Sequence, residues 1–88
     1  MKAVWKYPLD LINGWQQIEG PFLYRESALP VHVGQQNGRP TLWMEVDDDL
    51  EHEPLLFAVF GTGHPIYDDT VHVGTVQIGA HVWHVYMV

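Results

Sequence analysis

The run "LLFAVF" at residues 55–60 is apolar on both of its faces. In an extended chain successive side chains alternate sides, so Leu55, Phe57 and Val59 share one face and Leu56, Ala58 and Phe60 the other. Such a strand has to be central in its sheet and covered on both sides. Any fold open to this chain must therefore supply two covers for one strand. Helices are poor candidates. No window of a dozen residues keeps the i, i+3, i+4, i+7 apolar pattern without an interrupting Gly or Pro. Val, Trp, Tyr, Thr and Phe instead recur in short runs, punctuated by eight glycines and six prolines.

Extended runs are expected at residues 3–9, 15–19, 31–36, 39–46, 55–60, 71–78 and 82–87, and residues 21–29 could hold one helical turn. The fold class that follows is all-β: a small antiparallel β-sandwich or partly open barrel of about six to seven short strands. In "VHVGQQNGRPTLWMEV" the dipeptide Asn37-Gly38 suits a type I′ turn, whose two central residues need positive φ. That turn pairs Gln36 with Arg39, Val33 with Leu42 and His32 with Trp43. Val31, Val33, Leu42, Met44 and Val46 then face the core, while His32, Gln36, Arg39, Thr41, Trp43 and Glu45 face outward. Pro40 cannot donate to a ladder, which marks a sheet edge beside it. In "VHVGTVQIG" the apolar residues change parity around Gly74, and a bulge there reconciles the two halves. The final strand ends on apolar residues and needs docking, or lending to a neighbour.

With 88 residues, the chain is expected to be a single β domain spanning 1–88. Hydrophobic residues are 47% and charged residues 17%, the balance of a folded chain. A domain this small and without cysteine gains stability by pairing with a copy of itself, so a homo-oligomer, most simply a dimer, is expected. The start "MKAVWKYPLD" has no apolar core of a signal peptide, and no run reaches the roughly 20 apolar residues of a membrane span. The expectation is a cytoplasmic protein with no membrane contact. A net charge of −7 disfavours direct nucleic-acid binding. It leaves room for an acidic surface that meets a basic partner or mimics a nucleic acid.

Few residues suggest chemistry. In "FGTGHPI" the glycines allow a sharp turn, and the successive N–H groups of Thr62, Gly63 and His64 could make an anion-binding nest. The loop lacks the lysine of a P-loop and has Pro65 instead, so a structural turn is the first reading. His32, Arg39 and Trp43 on the outer hairpin face offer a titratable donor, a cation and a flat ring. That set serves a subunit interface first and a small-ligand platform second. A ligand there would be anionic and aromatic, such as a nucleotide: Arg39 would take the phosphate, Trp43 would stack on the base, and residues 62–64 would complete the anion site. The acidic run "EVDDDLEHE" reads first as a solvated loop. Asp47, Asp48 and Asp49, with Trp83 from the last strand, are its protein-interface alternatives. Six histidines include no H-x-H pair on one strand face, so no metal site and no cofactor are expected. Ser27 is the only serine and lacks a G-x-S-x-G setting. No catalytic residues, and no enzyme, are expected.

The motifs "WKYPL", "GRPTLW", "FGTGHPI", "GTVQ" and "VWHV" together resemble a family of small uncharacterised proteins, encoded largely by bacteriophages. The resemblance spans nearly the whole chain and is looser over residues 13–29. It singles out Trp5, Lys6, Arg39, Trp43, Gly61, Gly63, His64 and Trp83 as motif positions. It implies a phage accessory protein in the host cytoplasm that acts by binding. Counter-defence is the leading role, by inhibiting a host defence protein or sequestering a nucleotide signal. An acidic nucleic-acid mimic and a minor virion or assembly component are the alternatives.

Overall fold

Each of the seven runs expected to be extended is a strand. The computed structural model describes residues 1–12, 14–24 and 28–88. Its strands are β1 (Lys2–Pro8), β2 (Gly14–Gly20), β3 (His32–Gln36), β4 (Arg39–Asp47), β5 (Glu53–Gly61), β6 (Val71–Ile78) and β7 (His81–Met87). They form two antiparallel sheets, ordered β1-β4-β3 and β2-β5-β7-β6. Sandwiched together, the sheets do not close into a barrel. No helix occurs among the described residues, and so none long and apolar enough to cross a membrane.

β5 takes the central place that its two apolar faces demand, between β2 and β7. On its inner face Phe57 and Val59 are fully buried with Ile18, Val85 and Met87, against Leu42, Met44 and Val46 of the other sheet. Ala58 and Phe60 on the outer face are buried as well. Their cover is the loop after β5, which folds back to set Tyr67 edge-on against Phe60, ring centroids 5.1 Å apart at 84°. The same ring stacks on Trp15 of β2, at 5.1 Å and 29°. Leu56 lies beyond this cover and is exposed, so the two-sided burial begins at Phe57.

The hairpin has the expected register, Gln36 opposite Arg39, Val33 opposite Leu42 and His32 opposite Trp43. Asn37 and Gly38 adopt φ of 54° and 76°, as the primed turn requires. Pro40, however, does not mark an edge: β4 is the middle strand of its sheet. Pro40 accepts a ladder bond on its carbonyl from Leu9 N–H at 2.7 Å. The reciprocal donor is missing from proline, and Arg39 Nε supplies it, donating to the Leu9 carbonyl at 3.2 Å. Thr41, expected outside, is fully buried. Pro8 and Gly34 flank it on the two neighbouring strands, and Lys6 Nζ donates to Gln36 Oε1 at 2.7 Å diagonally across it. Val31, expected in the core, precedes β3 and is exposed.

Beyond β2 the chain crosses to the other sheet. Asp47 N–H donates to the Pro21 carbonyl at 2.9 Å, Leu23 N–H donates to the Glu45 carbonyl at 3.2 Å, and buried Phe22 bridges to Val46. This extended segment occupies part of the stretch where a helical turn was expected. The remainder of that stretch, residues 25–27, lies outside the described residues.

The register of β6 on β7 shifts between His72 and Gly74, which is the expected bulge. It brings Gly74 against Val33 of the opposing sheet, so close that a Cβ on residue 74 would lie 2.6 Å from the Val33 Cβ. Gly74→Ala is therefore expected to destabilise the fold by about 1–3 kcal/mol, the usual cost of overpacking. Urea unfolding would read this as a lower midpoint at unchanged slope. A midpoint equal to wild type would contradict the close approach.

Candidate functional site

Two regions collect the polar and aromatic residues singled out in the sequence. The first is the outer face of the β3–β4 hairpin. His32 and Trp43 are opposite each other and their rings pack at 5.2 Å, tilted by 47°. Arg39 does not join them. It stands four residues from Trp43 on the same strand, roughly 13 Å away by strand geometry. Its guanidinium is held by the Leu9 carbonyl and by Asp10, whose Oδ1 is 2.8 Å from a terminal nitrogen. Arg39 thus ties the end of β1 to β4, and the expected line of cation, ring and imidazole becomes a ring–imidazole pair and a separate structural clamp.

The second region is the turn after β5. His64 N–H donates to the Gly61 carbonyl at 3.1 Å, and Gly63, third residue of that turn, has φ of 89°. A type II turn needs this left-handed geometry at its third position, and glycine supplies it without strain. Thr62 N–H donates to the Val82 carbonyl at 3.3 Å. Two of the three amides of the expected anion nest are thus committed to the fold, so residues 62–64 form a turn and not a three-amide nest.

A cleft of about 360 Å³ lies beside this turn, where β7 begins, lined by Gly61, Thr62, His64 and the stretch from Ala80 to Trp83. Its polar and aromatic wall is made of two imidazoles, one hydroxyl and one indole. The His64 ring folds over Gly61 and the Trp83 ring flanks it, so a Cβ on Gly61 would meet both, at 3.1 and 3.6 Å. Trp83, expected at a protein interface, packs partly on the core and closes one wall of the cleft. None of His32, Arg39 and Trp43 lines this cleft.

Behind the cleft a chain of hydrogen bonds runs from the turn after β5 across β7 to β6. Thr62 Oγ1 is 2.8 Å from His84 Nε2, His84 Nδ1 is 3.0 Å from Thr75 Oγ1, and Thr75 Oγ1 is 2.8 Å from His72 Nε2. The His72 ring also meets Tyr86 edge-on at 5.2 Å. Sequence reasoning missed this group. An H-x-H pair lies two apart on one strand, whereas these residues meet across strands, in a register set by the β6–β7 turn, with the bulge turning His72 onto the same face. A tight turn at Gly79 and Ala80, which pairs Ile78 with His81, was the signal. Counting back from it places Thr75 opposite His84.

The acidic run ends β4 and the turn that follows. Asp47, Asp48 and Asp49 surround the Met1 ammonium at 3.0, 2.6 and 3.1 Å. Hydrogen bonds to Asp48, then to Asp47 and Asp49, raise the amine's pKa from 8.0 to about 11. The Asp49 backbone N–H and then the ammonium lower that of Asp47. The signs give opposite arms. The raised amine contributes stability that is complete below its ordinary value and lost as pH climbs towards about 11. The lowered Asp47 contributes stability that is lost as pH falls below its ordinary 3.8. Asp48→Asn removes the amine's main partner and is expected to reduce the loss of thermal stability between pH 8 and about 11. Melting curves with equal alkaline slopes in variant and wild type would contradict the ammonium's place.

A family model described as a domain of unknown function, DUF7352, matches residues 1–88. No curated protein and no solved structure matches the chain. Because the match covers the whole chain, the protein belongs to the DUF7352 family.

Proposed function

We propose that the protein acts by binding and not by catalysis, as a small bacteriophage accessory protein in the host cytoplasm. Its role is counter-defence: it holds a small aromatic anion, such as a nucleotide signal, or occupies a host defence protein. The cleft beside the Gly61–His64 turn carries the reading. At about 360 Å³ it is within the range of small-molecule sites. The Trp83 ring offers a stacking surface, and the His64 and His81 imidazoles and the Thr62 hydroxyl offer polar contacts. The ligand thus belongs with Trp83, and not with Arg39 and Trp43 as the sequence suggested. A homodimer is the proposed assembly, supported by the uncharged edge strand β6.

The exposed carboxylates of Asp48 and Asp49 favour a second reading, an acidic surface that mimics a nucleic acid towards a host protein. Loss of a counter-defence effect in Asp48→Asn/Asp49→Asn, with calorimetric nucleotide binding absent from the wild type, would select it over the first.

Calorimetry with mononucleotides and cyclic dinucleotides tests the first reading directly. Wild type is expected to bind at least one of them. Trp83→Ala should weaken it roughly tenfold or more, the scale of a lost base–aromatic stack of about 1–3 kcal/mol. Arg39→Ala should leave affinity unchanged while lowering the melting temperature. Silence across the panel would sink the nucleotide reading.

A further inference from the structure

Charge is missing from one flank of the sandwich. Every Asp, Glu, Lys and Arg of the chain precedes Thr70, so the β6–β7 hairpin carries none although the net charge is −7. β6 is the last strand of its sheet, and β3, the edge of the other sheet packed against it at Val33 and Gly74, carries none either. The opposite edges differ: β1 has Lys2, Lys6 and Pro8, and β2 has Glu19. Charges and proline are the usual means by which an edge refuses a further strand. β3 is blunted by its length of 5 residues, whereas β6 has 8. The direction of its open groups follows from the turn into β7. Gly79 has φ of 61°, which a two-residue hairpin turn needs at its first central residue, and Ile78 pairs with His81 across it. That pair is hydrogen-bonded, and bonded pairs then alternate along the ladder. Thr75 and Gln77, opposite His84 and Val82, therefore turn their N–H and C=O groups away from β7, to the open edge. The Val82 carbonyl has the matching parity, since it accepts the Thr62 N–H from the β5 side.

We propose that β6 is a docking edge for the β6 strand of a second copy, paired antiparallel about a two-fold axis at Val76, so that the two four-stranded sheets run on as one. This rests on the homodimer reading above and names its surface and register. An axis at Val76 sets Thr75 opposite Gln77 of the second copy, and Gln77 opposite its Thr75. Each pair then exchanges both main-chain hydrogen bonds, and every open group at the two positions is used. Moving the axis to Thr75 would set Gln77 against Val73 in the bulge, and moving it to Gln77 would set Thr75 against Gly79 in the turn. Only the central register satisfies both. Val76, buried on the inner face, meets its own counterpart across the axis. The side chains opposed on the outer face, Thr75 and Gln77, are both neutral. Two chains of −7 repel each other over most of their surfaces, and this flank lets them meet with no charge in the seam.

Light scattering of the full chain at high micromolar concentration should give the mass of a dimer. Gln77→Pro deletes an outward N–H while leaving the β6–β7 bonds in place. It removes half of the bonds across the seam and should raise the dissociation constant roughly tenfold or more. The chain has no cysteine, so one introduced thiol can report the register. A non-hydrogen-bonded pair has its Cα atoms about 4.5 Å apart, within the reach of a disulfide. Val76→Cys should therefore give a covalent dimer under mild oxidation, whereas Val4→Cys, exposed on the β1 edge, should stay unlinked. Should Gln77→Pro fail to fold, the cysteine pair decides. A monomeric wild type would overturn the interface together with the homodimer reading. A dimeric wild type in which Val76→Cys does not link, or in which folded Gln77→Pro dimerises unchanged, would keep the homodimer and overturn the β6 seam.

Discussion

The burial of β5 on two faces is the interaction on which the rest of the structure depends. One face is satisfied in the ordinary way of a sandwich, by Leu42, Met44 and Val46 of the opposing sheet. A domain of this size has no third layer with which to cover the other. The chain uses its own return loop instead, and Tyr67 spans from Phe60 to Trp15 as the outer cover. Such a cover must leave β5 abruptly and double back. The type II turn with Gly63 at its left-handed position, followed by Pro65, does this with a minimum of residues.

The candidate sites are by-products of the same manoeuvre. Turning at Gly61 puts Thr62 next to the start of β7, where its N–H caps the Val82 carbonyl and its hydroxyl reaches His84. Folding back puts His64 over Gly61 and beside Trp83, so the turn becomes one wall of a cleft. On the outer face of the same sheet, the β6–β7 turn sets Thr75 opposite His84, and the β6 bulge turns His72 onto that face beside them. The loop therefore has a structural duty whatever it binds. Function, where it exists, is built on residues that the fold already holds.

The sequence was most legible where period and turn chemistry act locally. The alternation around Asn37-Gly38 sets the hairpin register, and the parity change at Gly74 locates the bulge, because both depend only on neighbours in the chain. Non-local partners were harder to read. Pro40 looked like an edge because its missing N–H was visible and the Arg39 side chain that replaces it was not. Thr41 looked exposed because alternation says which face a residue takes and not whether Lys6 and Gln36 close over that face. The His72–Thr75–His84–Thr62 chain needs β6, β7 and the turn after β5 in register, information that no single strand carries. Arg39 and Trp43 share a face in the alternation, yet sharing a face is not contact.

The central claim is that the loop after β5 is held down by Tyr67 and serves as the second cover of the sheet. A double-mutant cycle of Trp15→Ala and Tyr67→Ala, measured by urea unfolding, tests it most directly. The account predicts a coupling of about 0.5–1.5 kcal/mol, the worth of a packed aromatic pair beyond its buried area. A coupling indistinguishable from zero would contradict it, and would mean that the loop lies on the sheet without holding it.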